Sequence, residues 1–167
     1  MGTALLIRAS LLGLLLAGSP AFADDIDQLP VTATFVVSGG YWEGDAGDET
    51  TATPVAHEDD AQEPAPRRGY YKLISIRQPD RTAKVYLQRI LSTETGPAVQ
   101  ESIELEEFTG IHPYVTDIRP EDSTGVSRQP GFFATVYLKT DPAQVEPEGW
   151  TVLIDEFGEI RVERETN

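Results

Sequence analysis

Cysteine is absent from the sequence. No disulfide, thiol nucleophile or thiolate metal site is therefore open to it. Lipid attachment is excluded for the same reason, since a bacterial lipoprotein needs a cysteine just after its cleavage site. Histidine is scarce, with only His57 and His112, and the one asparagine is the terminal Asn167. There is no Gly-x-Ser-x-Gly elbow, no His-Glu-x-x-His pair and no phosphate-cradling glycine loop ahead of a helix. These gaps weigh against metal hydrolases and α/β-hydrolases, and no motif calls for a cofactor.

Apolar runs are also few, and the one that exists lies at the start. Arg8 precedes the run Leu11 to Ala17, Pro20 breaks it, and Ala21-Phe22-Ala23 matches a small-x-small cleavage pattern. Residues 1–23 read as a secretory signal peptide, because the run is shorter than the roughly 20 apolar residues of a spanning helix. Cleavage would make Asp24 the first residue and leave 144 residues, enough for one hydrophobic core without disulfide support. Ten arginines against three lysines suggest a GC-rich bacterial source. The expected location is periplasmic or secreted.

After cleavage, 12 basic residues face 28 acidic ones, a net charge of −16. Such a field repels nucleic acid and anionic lipid, which need basic surfaces. The first account of this charge is that it keeps the protein soluble. A partner, if there is one, is expected to be cationic, metal-bearing or neutral, and the oligomeric state is open. Residues 24–69 hold eleven acidic and two basic residues, against seventeen and ten in residues 70–167. From Glu43 to Pro66 there is no aromatic residue, leucine or isoleucine. That composition buries too little apolar surface to offset its ordering entropy. The chain therefore divides into a signal peptide (1–23), an N-terminal strand segment (24–43), an acidic disordered linker (44–68) and a β-domain (69–167).

Val31 to Val37 alternates at period two, placing Val31, Ala33, Phe35 and Val37 on one face, with Gly39-Gly40 expected to end the strand. Tyr70 to Arg77 and Thr82 to Leu91 form a hairpin around Gln78-Pro79-Asp80-Arg81. Val99 to Phe108 reads as a strand with Val99, Ile103 and Leu105 on one face, although its glutamates also suit a helix. Tyr114 to Arg119 and Phe132 to Lys139 follow, joined by a polar loop. Apolar residues and aromatics fall on both faces of Phe132 to Lys139, which predicts a strand that is central or covered on both sides. Trp150 to Asp155 and Ile160 to Glu163 close the chain as a second hairpin through Phe157-Gly158. The prediction is an all-β fold: one antiparallel β-sandwich or small barrel of about eight strands, the first strand lying beside the last.

Several clusters could carry chemistry. His57, Glu58, Asp59 and Asp60, with Asp45, Asp48 and Glu49 upstream, offer hard ligands but lack the alternation and bend glycine of a calcium loop. A solvated acidic stretch is the better account, so no metal site is assigned. Glu101, Glu104, Glu106, Glu107 and Asp117 could supply a glycosidase pair. Glu104 and Glu106 alternate, however, as solvent-facing charges on a half-exposed strand do. Tyr41 and Trp42 end the first strand and Tyr70 and Tyr71 begin the second, flanking the linker like a gate. If they face solvent together they form a stacking platform, and otherwise they pack inward. The expectation is an exported, acidic, non-enzymatic binding or accessory protein of the cell envelope, with a protein or glycan partner. The alternatives are a carboxylate-dependent glycan-active enzyme and a small-ligand carrier barrel.

Overall fold

A computed structural model describes residues 29–44, 67–121 and 129–166. The signal peptide and nearly all of the acidic linker lie outside these residues. Strands β1 (Ala33–Gly44), β2 (Arg67–Arg77), β3 (Ala83–Thr93) and β4 (Gly96–Glu104) are followed by helix α1 (Glu106–Ile111). Strands β5 (Tyr114–Pro120), β6 (Phe132–Lys139), β7 (Glu148–Ile154) and β8 (Ile160–Arg164) complete the chain. They form two four-stranded antiparallel meanders, β1-β2-β3-β4 and β5-β6-β7-β8. No helix among the described residues is long and apolar enough to cross a membrane.

Period-two alternation explains how the two sheets share one core. Tyr71, Leu73 and Ser75 of β2 are buried while their neighbours are half-exposed, and Val85 and Leu87 of β3 repeat the pattern opposite them. Phe132, Ala134, Val136 and Leu138 of β6 meet them from the second sheet, joined by Val152 and Ile154 of β7. β6 is central in its sheet. On its other face the Thr135 hydroxyl, 1% exposed, lies 2.8 Å from Glu121 Oε1 and 3.2 Å from Glu165 Oε1. The predicted hairpins form at both expected turns.

Three expectations are corrected. β1 does not stop at Gly39-Gly40 but continues to Gly44. The pair instead forms a bulge, with Gly40 at φ +60° and the pairing with β2 shifted between Gly39 and Trp42. A Cβ on Gly40 would collide with the Gly131 carbonyl. Glycine thus permits a close approach in which Tyr41 and Gly131 exchange backbone hydrogen bonds of 3.1 and 2.8 Å, joining the first sheet to the start of β6.

Val99 to Phe108 is the second correction, because it splits into the end of β4 and the short α1. Gln100 is an extra residue against the Arg89–Ile90 step, so the alternation slips and Val99 is left 58% exposed. The Leu105 N–H makes a last bond to Val85 O, 2.9 Å, after which Phe108 turns fully into the core. Glu106 and Glu107 occupy the first helical turn, where acidic side chains suit the helix dipole. The third correction concerns closure. β1 pairs with β2 and β8 with β7, so the first and last strands are not neighbours and no barrel closes.

Candidate functional site

The aromatic gate does not form a solvent-facing platform. Trp42 is 3% and Tyr71 5% exposed. The Trp42 indole N–H donates to Ile90 O at 3.1 Å, and the Arg89 guanidinium stacks 3.9 Å from the indole centroid. Tyr71 packs on Phe132 with ring centroids 6.1 Å apart, and burial pushes its phenol pKa up. Tyr41 and Tyr70 stay half-buried. Tyr71 points inward because it lies two residues before Leu73, and Trp42 is turned toward the core after the bulge.

The carboxylates also separate. Glu104 accepts both bonds of Lys84 Nζ at 3.0 Å, one from Tyr86 OH at 3.1 Å and one from Thr109 Oγ1 at 2.7 Å. The Thr109 hydroxyl, then Lys84 and Tyr86, hold its pKa below the ordinary carboxylate value. Glu104 therefore clasps α1 to β3 and β4. Asp117 accepts from Arg119 Nε at 2.7 Å on the other sheet, while Glu101, Glu106 and Glu107 are exposed. Among the described residues no three His, Asp or Glu side chains converge to hold a metal ion. The cluster Asp45, Asp48, Glu49, His57, Glu58, Asp59 and Asp60 lies outside the described residues.

The built site is elsewhere, at the end of the molecule where the β2–β3 turn, the end of α1 and the β6–β7 loop meet. An open cleft of about 500 Å³ is lined by Asp80, Arg81, Thr82, His112, Tyr114 and Lys139, with Thr140 and Pro142 at its edge. A smaller one of about 340 Å³ shares Asp80, Thr82 and His112 and extends toward Lys84 and Thr109.

Each wall is fixed by local chemistry. The turn closes with Gln78 N–H on Thr82 O at 2.8 Å and Arg81 N–H on Gln78 O at 3.0 Å. Asp80 Oδ1 accepts from the Thr82 hydroxyl at 2.7 Å and from its N–H at 3.0 Å, a self-contained aspartate turn. Those two bonds, the hydroxyl's first, keep the Asp80 carboxyl below its usual pKa. The Ala83 N–H donates to Pro113 O at 2.7 Å, joining the turn to the segment after α1.

Tyr114 opens β5 opposite Lys139, the last residue of β6. Arg77 lies 5.2 Å from the Tyr114 ring centroid and donates to its hydroxyl at 3.2 Å. Lys139 Nζ spends one hydrogen on Val145 O at 3.3 Å. Two ammonium donors remain.

The backbone at this site is its most telling feature. Among the described residues only two non-glycine residues have positive φ, Arg81 at 73° and His112 at 51°, and both line the cleft. Left-handed backbone costs an L-residue about 1–2 kcal/mol, and glycine would avoid that cost at either position. Neither side chain has a hydrogen-bond partner among the described residues. Two bond-forming side chains, each carried on left-handed backbone and His112 as the left-handed cap of α1, thus front the same opening. Strain of this kind persists where the surrounding structure holds it and concentrates at functional sites.

In the sequence Arg81 stands out only as part of a turn and His112 only as one of two histidines. No residue pattern signalled their meeting, which depends on the Ala83–Pro113 hydrogen bond and on the sheet-to-sheet packing. The described residues thus define an all-β protein of two antiparallel sheets with a cation-fronted cleft at the hairpin end. Compared with known proteins, the chain matches no family model, no curated protein and no solved structure.

Proposed function

We propose that this chain is an exported, non-enzymatic binding or accessory protein of the cell envelope that recognises a protein or glycan partner through the Arg81–His112–Lys139 cleft. In this reading residues 1–23 are the export signal, and residues 44–68 are an acidic spacer outside the recognition surface. The observation that carries the proposal is the pair of left-handed residues, neither with a side-chain hydrogen bond among the described residues, at one opening.

The cleft falls within the range of roughly 300–1,000 Å³ typical of ligand sites. Its carboxylate is already satisfied by Thr82 and held ionised. A general acid needs the opposite, a raised pKa, so Asp80 is better suited to shaping the site than to protonating a ligand.

Capture from an envelope extract tests the reading, using the full chain, an R81E/K139E form and a K72A control. Lys72 lies on the outer face of the first sheet, between inward Tyr71 and Leu73. Loss of the captured partner with R81E/K139E but not with K72A is the expected result. Equal capture by all three forms would overturn the assignment to this cleft.

A further inference from the structure

Resting on that reading, we propose that the group the cleft recognises is a single carboxylate on a ring-bearing ligand, with an acidic sugar as the class that fits. The whole chain carries −15, yet the free donors at this opening belong to Arg81, Lys139 and His112. The one carboxylate lining it, Asp80, has its bonds turned back on Thr82. An incoming anion therefore meets Arg81 and Lys139 without displacing a salt bridge of either among the described residues, while His112 already interacts electrostatically with Asp80.

Distance screening makes the local sign decisive. At physiological ionic strength charges beyond about 8 Å are largely screened, so the remote acidic residues weaken the local attraction without cancelling it. They do penalise ligands of high charge. A phosphate ester, at about −1.5 to −2, is repelled more strongly than a monoanion, and a polyanion more strongly still. With Arg81 and Lys139 set against the ionised Asp80 at the same opening, one carboxylate is the anion whose charge the local excess of cation matches.

The ring follows from the remaining wall. Tyr114 is 44% exposed, and it is held in place by Arg77, which bonds its hydroxyl and lies over its ring. Arg77 is in this sense a positioning residue. Tyr114 and the Pro142 ring give an apolar surface beside the cations. An aromatic ring with a polar rim suits the C–H face of a sugar, while the Thr140 hydroxyl offers a hydrogen-bonding group at the edge. Carboxylate on the donors and ring on Tyr114 together describe a uronic-acid residue, either free or at the end of a glycan.

Calorimetric titration of the full chain with glucuronate, glucose, acetate and inorganic phosphate tests this. Glucuronate is expected to bind more tightly than any of the other three. R81A and K139A should each weaken it about ten-fold or more, because hydrogen bonds to charged groups contribute about 1.5–3 kcal/mol. R81K should recover part of the loss, Y114A should weaken glucuronate but not acetate, and K72A should change nothing.

Unfolding midpoints of the same variants separate loss of binding from loss of fold. Equal binding of glucose and glucuronate, preference for phosphate, or indifference to R81A and K139A would overturn the proposal. If glucuronate gives no heat while R81E/K139E still abolishes envelope capture, the ligand class is wrong and the cleft stands. Capture that is insensitive to the cleft would remove both.

Discussion

Arg81 and His112 hold backbone angles that glycine adopts freely and other residues do not. Replacing either with glycine removes a cost of about 1–2 kcal/mol, partly offset by about 0.5–1 kcal/mol of extra chain entropy in the unfolded state. R81G and H112G are each expected to gain about 0.5–1 kcal/mol in urea unfolding on this balance while weakening ligand binding. A loss of stability would show that the side chains support the turn. The reverse constraint holds at Gly69, where an added Cβ would collide with the Ile90 carbonyl that already accepts the Trp42 indole hydrogen. Trp42→Ala should cost about 3–5 kcal/mol, measured as a shift in unfolding midpoint, because it empties a core position.

At the scale of elements, the short α1 depends on its clasp more than on its length. Six residues cannot form a stable helix in isolation. Phe108 in the core and Glu104 bound to Lys84, Tyr86 and Thr109 hold it in place. Because Glu104's folded pKa is lowered, its contribution is fully present above the unfolded value, about 4.3, and disappears as pH falls through the folded one. Urea midpoints measured from pH 6 down to pH 3 should therefore fall less steeply for E104Q, which starts from a lower midpoint. An unchanged slope would dissociate Glu104 from the acid response.

Tyr71 has the opposite sign. Its raised folded pKa gives a contribution present below the unfolded value of about 10 and lost as pH rises through the folded value. Y71F should flatten the alkaline decline in stability.

These elements also mark how far the residue pattern could be read. Strands such as Tyr70 to Arg77 and Phe132 to Lys139 were legible because their period-two patterns map directly onto burial, although which way Tyr71 faced was not. The pattern failed where the backbone departs from regular pairing: at the Gly39-Gly40 bulge, at Gln100, and at Leu105, where the strand becomes helix. The cleft was not legible at all. Arg81 and His112 lie 31 positions apart, and nothing local in either segment encodes the fold that joins them.

Across the whole molecule, two open meanders share one apolar core and are joined by the Tyr41–Gly131 bridge as well as by the α1 connection. Among the described residues the two sheets do not close into a barrel. A cleft with available donors lies, among the described residues, at the hairpin end, while Trp42, Arg89 and Tyr71 close their own region by packing. Leu138, fully buried in the shared core, links the two sheets energetically. L138A should cost about 2–5 kcal/mol, and the fluorescence of Trp42 and Trp150, one in each sheet, should report coincident unfolding midpoints.

The most direct test of recognition at the hairpin end is a two-dimensional NMR titration of the full chain with solubilised envelope glycan. The account predicts amide shifts confined to residues 78–84, 109–114 and 139–145. Shifts centred instead on Trp42, Gly69 and Arg89, or spread over the outer faces of the sheets, would contradict it.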